Sequence, residues 1–130
     1  MPIYIADTHA LLWYFTRPDL LGNAAQAALD DVAAQTAELI VPVIVLIELI
    51  FVIEKRSLPV DFQRILNHLH SSPNVHILNL SLERSLDCLS LKAIPEMHDR
   101  LIVADAIANN ATLITRDVDI TASALATVIW

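Results

Sequence analysis

With 130 residues, 55% of them hydrophobic, the chain can bury a core of its own and fits one domain spanning 1–130. A net charge of −7, from 8 basic and 15 acidic residues, argues against a broad basic surface for nucleic acid and leaves room only for a local basic rim. The single cysteine, Cys88, excludes an internal disulfide, and no Cys/His spacing matches a zinc site.

The first residues carry neither a basic region nor a small-residue cleavage site. The longest apolar run, Leu39 to Ile53, is interrupted by Pro42 and Glu48 and falls short of the roughly 20 residues of a membrane-spanning helix. A cytoplasmic protein with no membrane partner is the expectation.

Pro2 to Ala6 is short, apolar and β-branched and runs straight into Asp7-Thr8, which predicts a buried strand ending at a helix N-cap. Ala10 to Phe15 predicts a short helix stopped near Arg17-Pro18, because proline disfavours helix in the residue before it. Gly22-Asn23 opens a second helix over the Ala-rich run Ala24 to Ala37, with Ala25, Ala28, Leu29 and Val32 recurring at helical spacing. Glu38 to Val41 predicts the second strand. Val43 to Arg56 suits helix or strand by composition, and its length decides for helix. Asp61 to His70 forms another helix, with Phe62, Ile65, Leu66 and Leu69 on one face.

Val75 to Leu78 predicts a third strand, and Ser81 caps a helix through about Lys92. Pro95-Glu96 marks a loop, Asp99 to Asn109 a helix, Ala111 to Thr115 a fourth strand and Ala126 to Trp130 an edge strand. Strands separated by helices imply right-handed crossovers and a mostly parallel sheet of four to five strands with helices on both faces.

Four acids stand singly in or beside these apolar segments: Asp7, Glu48, Asp99 and Asp117. Each has a local explanation. Asp7 and Asp99 suit helix caps, Asp117 suits a turn, and Glu48 has Lys55 two helical turns away as a partner. Together they suggest one site, because the crevice of an open parallel sheet lies outside the carboxyl ends of its strands. Like charges about 4 Å apart repel by roughly 4 kcal/mol at an effective dielectric of 20, so gathered acids call for protons or cations. Magnesium or manganese fits an oxygen-only donor set better than zinc.

Asp105 follows Asp99 by six residues, about 120° around the helix, and is either a supporting ligand or polar surface. Thr8 and Thr115 adjoin acids and have hydroxyls for a water or phosphate oxygen, while Arg100 and Arg116 are candidate phosphate contacts. Ordinary capping, strand use and charge balance account for these four equally well. His9 and His98 also adjoin the acids but are read as caps or solvated groups. Trp13, Tyr14 and Phe15 are read as core or interface.

These stretches resemble the PIN-domain family and, within it, the short prokaryotic VapC-type toxins. The resemblance rests on Ile5-Ala6-Asp7-Thr8-His9-Ala10-Leu11-Leu12-Trp13, on Val41-Pro42 followed by Glu48-Leu49, on Ile94 to Ala104 around Asp99, and on Leu113-Ile114-Thr115-Arg116-Asp117. It implies a three-layer α/β/α fold with Asp7, Glu48, Asp99 and Asp117 as catalytic, metal-binding acids. It also implies a Mg2+- or Mn2+-dependent endoribonuclease that hydrolyses RNA by metal-activated water, a homodimer, and a cognate antitoxin that blocks the site. Two departures stand out. Asp105 occupies a position where the family usually has a small or neutral residue, which leaves a fifth ligand open, and Val41-Pro42 replaces a short hydroxyl residue before the Glu48 helix.

Two rivals remain. One is a non-catalytic PIN-like interaction module whose acidic cleft receives a basic partner peptide. The other is a phosphatase with Asp7 as nucleophile, which His9 disfavours because it stands where such enzymes usually carry a second Asp.

Overall fold

The computed structural model describes all 130 residues, and its elements alternate as β1 (Ile3–Ala6), α1 (Thr8–Thr16), α2 (Asn23–Ala33), β2 (Glu38–Pro42), α3 (Val43–Lys55), α4 (Phe62–Ser71) and β3 (Val75–Leu78). They continue with α5 (Leu82–Asp87), α6 (Met97–Ala108), β4 (Thr112–Ile114), α7 (Val118–Ser123) and β5 (Val128–Ile129). The strands form one sheet in the order β3-β2-β1-β4-β5, and every pairing is parallel. Parallel strands need long crossovers, and the intervening helices supply them, as the sequence pattern predicts.

β1 lies at the centre, with β2 on one side and β4 on the other. The chain winds outward from β1 through β2 to β3, then returns to place β4 on the opposite side. That reversal opens a crevice at the carboxyl ends of β1 and β4. Ala6 pairs with Ile114 there, and the Asp7 amide donates to the Ile114 carbonyl at 3.1 Å, so Asp7 and the Thr115-Arg116-Asp117 segment leave the sheet side by side. Central β residues such as Ile5, Val41, Leu113 and Ile114 are fully buried, and Leu11, Leu49 and Ile102 cover them from the helices. No helix is long and apolar enough to cross a membrane.

Several boundaries differ from the sequence expectation. The second helix stops at Ala33 rather than Ala37, because Gln35 turns to φ 62° and Thr36 N–H donates back to the Asp31 carbonyl at 2.9 Å, a left-handed C-terminal cap. Asn74 reinforces the stop: its side-chain amide donates to the carbonyls of Val32 at 2.8 Å and Ala37 at 2.7 Å. The helix capped by Ser81 ends at Asp87 and tightens into a 3-10 turn over Cys88–Ser90 instead of reaching Lys92. The segment after Asp117, unassigned from sequence, forms α7. The last strand is two residues long and lies at the sheet edge, as expected of an edge strand.

Glu48 sits inside a helix, as length predicted. β2 passes into α3 without a loop: Pro42 pairs with Leu78 as the last residue of β2 and also serves as the N-cap position of α3. Proline suits that junction because its missing N–H would be unsatisfied at a helix start anyway.

Candidate active site

Asp7, Glu48, Asp99 and Asp117 line one open cleft of about 230 Å3, together with Thr8, His9 and Glu96 and floored by Val52 and Ile102. Four separate segments deliver them. Asp7 ends β1, Asp117 follows β4, Glu48 lies midway along α3 and Asp99 is in the first turn of α6.

Local capping explains part of each placement. Asp7 caps α1, its Oδ1 accepting from the Ala10 amide at 2.8 Å, and Asp117 caps α7, its Oδ1 accepting from the Ile120 amide at 2.9 Å. Asp99 caps nothing. Its helix begins two residues earlier than the sequence predicts, at Met97, and Glu96 takes the capping role by accepting from the Asp99 amide at 2.8 Å. The Asp99 carboxyl is therefore released from the capping duty that its position in sequence suggests.

Thr8 and Thr115 are also corrected. Thr115 is fully buried, and its hydroxyl donates to Asp7 Oδ2 while accepting from the Asp117 amide at 3.1 Å. Thr8 is 5% exposed and donates to Glu48 Oε1 at 3.0 Å. Both hydroxyls donate to acids of the cleft. Arg100 is corrected as well. Its guanidinium turns away from the cleft and donates to the carbonyls of Ile94 at 2.5 Å and Cys88 at 3.3 Å, pinning the segment that leads into α6. Asp105 does not join the four acids. It is 3% exposed, its Oδ1 has no hydrogen-bond partner, and the charge it senses is Arg84 of α5. The 120° offset along α6 turns it away from the cleft. Arg116 stays beside the cleft.

The electrostatics of the cleft are those of crowded anions. Burial pushes the Asp7 and Glu48 carboxyls above their ordinary range, more than their threonine hydrogen bonds lower them. Asp99 is raised to about 7, first by burial and then by the charges of Asp117, Glu96, Glu48 and Asp7. Neutrality at this cleft has to come from protons or from a cation. His98 Nδ1 lies 2.5 Å from Glu96 Oε1 and 3.9 Å from Glu48 Oε2.

The donor set is all carboxylate oxygen, which suits a hard divalent cation. No three of the chain's His, Cys, Asp and Glu side chains are close enough as they stand to enclose one ion. Held from four elements around an open cleft, the carboxylates fit such an ion in chemistry and reach it in position only by side-chain rotation or through water. Sequence reasoning missed Glu96 and set His98 aside as a cap or solvated group. The signals available were Glu96 three residues before Asp99, the spacing of an acidic cap, and His98 next to Asp99.

Fold and cleft together define an all-parallel α/β domain with a carboxylate site at its switch point. The PIN domain family model matches residues 4–124, and the chain belongs to that family. No curated protein sequence matches it. Among solved structures it is similar to VapBC2 from Rickettsia felis bound to a DNA fragment from its promoter, with a TM-score of 0.73, 22% identity, and coverage of 98% of this chain and 97% of that one. A toxin-antitoxin complex from Klebsiella pneumoniae gives 0.67 at 20% identity, covering 98% and 96% of the two chains. FitAcB from Neisseria gonorrhoeae gives 0.67 at 19%, again over 98% and 96%. At these identities the likeness establishes the fold.

Proposed function

We propose that the protein is a Mg2+- or Mn2+-dependent endoribonuclease and the toxin of a type II toxin–antitoxin pair, with Asp7, Glu48, Asp99 and Asp117 as its catalytic, metal-binding acids. The observation that carries this reading is the convergence of four acids from separate segments on one cleft, where three of them raise the pKa of the fourth. Membership of the PIN-domain family supports it, and the similar structures include a toxin-antitoxin complex from Klebsiella pneumoniae. A cognate antitoxin and a homodimer belong to the same reading.

Each residue has a part. Thr115 and the Ala10 amide fix both oxygens of Asp7, and Thr8 fixes Glu48, so these two acids keep their orientation when a polyanion approaches. Asp99, relieved of capping by Glu96, is free to reorient and to change charge. Asp7, Glu48, Asp99 and Asp117 would hold a divalent cation, which would supply the positive field to activate water and offset charge on the scissile phosphate.

The purified protein should cut a defined single-stranded RNA when Mg2+ or Mn2+ is added and lose the activity in EDTA, and Glu48→Gln should be inactive under both conditions. Metal-independent cleavage would overturn the assignment. A second reading is an acidic interaction module that binds a basic peptide without catalysis, favoured by the open spacing of the acids. Isothermal titration with Mn2+ separates the two, since a peptide-binding cleft has no need of an ion and Glu48→Gln would leave its calorimetric trace unchanged.

A further inference from the structure

A second, larger cleft of about 440 Å3 opens beside the acid cleft and shares Asp7, His9 and Asp117 with it. Its remaining wall carries Trp13, Arg56 and Arg116. Arg116 is exposed, yet its guanidinium is held in place: its carbon lies 4.5 Å from the centre of the Trp13 ring and 5.8 Å from that of Trp130. The two indoles meet edge to face at 5.9 Å. Arg116 enters none of the chain's ion pairs, although Asp117 is its neighbour in sequence, and Arg56 enters none either. A guanidinium fixed by ring faces keeps its in-plane N–H donors for an incoming anion.

The only glycine of the chain belongs to this arrangement. Gly22 has an ordinary φ of −68°, so backbone conformation does not require it. Space does: a Cβ there would lie 2.4 Å from the carbonyl carbon of Trp130 and 2.7 Å from its ring. Glycine at 22 lets the end of β5 settle against the start of α2, which brings the Trp130 indole against Trp13 and Arg116.

We propose that Arg116, lodged against the Trp13–Trp130 pair, forms with Arg56 a phosphate-binding subsite that holds the backbone of single-stranded RNA one step along from the bond cut in the acid cleft, with Gly22 seating Trp130 in that pair. This rests on the nuclease reading above. It also reconciles an acidic protein with a polyanionic substrate, because the cationic contact is confined to one wall and is ion-paired to none of the carboxylates.

The experiment compares cleavage of a dinucleotide, which has only the scissile phosphate, with cleavage of a single-stranded octanucleotide in Mg2+ or Mn2+. Wild type should favour the octanucleotide. Arg116→Ala and Arg56→Ala should each raise KM for the octanucleotide on the order of tenfold, leave kcat within about threefold, and flatten the salt dependence by about one phosphate contact. Dinucleotide cleavage should not change. Trp130→Ala should behave like Arg116→Ala, Trp130→Phe should restore most of the loss, and circular dichroism should report an intact fold for both. Unchanged octanucleotide KM in Arg116→Ala, with wild type active, overturns the subsite and leaves the nuclease reading standing. Equal loss on both substrates overturns it too, since Arg116 would then act at the reacting phosphate. Loss of binding to a poly-glutamate peptide with RNA cleavage unaffected would assign the wall to an acidic protein partner instead. If wild type cuts neither substrate, the nuclease reading falls and the subsite with it.

Discussion

Asp99 and Asp105 ride on the same helix, six residues apart, and both carboxyls hold their protons far above the usual carboxylate range, to about 7 and about 6. The causes differ. Burial raises both, but Asp99 is pushed further by the surrounding acids, whereas Asp105 is pulled back by the single cation Arg84. Asp99 belongs to a cluster of crowded carboxylates, whose mutual repulsion protons or cations would relieve. Asp105 is an isolated buried charge whose Oδ1 has no hydrogen-bond partner, which is a cost to folding. In this chain it is the contribution of other acids to the shift, not the raised value alone, that sets the cleft carboxyl apart.

The largest expected effect separates the two acids on activity. Asp99→Asn should lower metal-dependent RNA cleavage at least 100-fold without reducing the thermal midpoint, while Asp105→Asn should cleave like wild type. The pair is checked by single-turnover cleavage alongside thermal melts. Equal losses in both variants would collapse the distinction.

Cation binding should sharpen it next. Mn2+ at about 100 times its Kd should stabilise wild type and Asp105→Asn by about 2.7 kcal/mol, and Asp99→Asn by much less. Melts with and without EDTA measure this directly.

Stability against pH measures the cost of burying Asp105. The folded chain holds the Asp105 proton up to about pH 6, whereas an unfolded chain releases it near 3.8. Stability therefore falls as pH rises from about 4 to about 6 and stays at the lower level above that. Asp105→Asn removes the penalty, so urea denaturation should show the variant more stable by about 3 kcal/mol at pH 7 and equal to wild type below about pH 4.

The smallest effects concern the threonines that orient the acids. Thr115→Val leaves Asp7 Oδ2 and the Asp117 amide without partners and should cost on the order of 1 to 2 kcal/mol of stability, with a cleavage loss of about tenfold. Thr8→Val should cost less, since Glu48 is only half-buried and water can replace the hydroxyl. Denaturant midpoints and kcat for both variants provide the ranking.

Much of this was legible in one dimension. Alternating strand and helix patterns predicted a parallel sheet, and the length of the run from Val43 predicted the helix that carries Glu48. The four acids were visible because single carboxylates in apolar surroundings need a reason. Their capping duties were visible for Asp7 and misread for Asp99, because one acidic residue further upstream, Glu96, takes the helix start. Arg100 was misread because adjacency to Asp99 in sequence says nothing of where a long side chain finds acceptors. It found them in the carbonyls of Cys88 and Ile94.

What the sequence by itself determined is the strands, most of the helices and the chemistry of the carboxylates, since these follow from local periodicity and from the cost of burying charge. The tertiary structure decided which residues share a cleft. Asp105 went to Arg84, Thr8 and Thr115 were drawn into holding acids, and Trp130 crossed to Trp13 and Arg116 over a glycine. Those choices depend on the side of the sheet to which each crossover returns, a property of the whole chain that no local stretch contains.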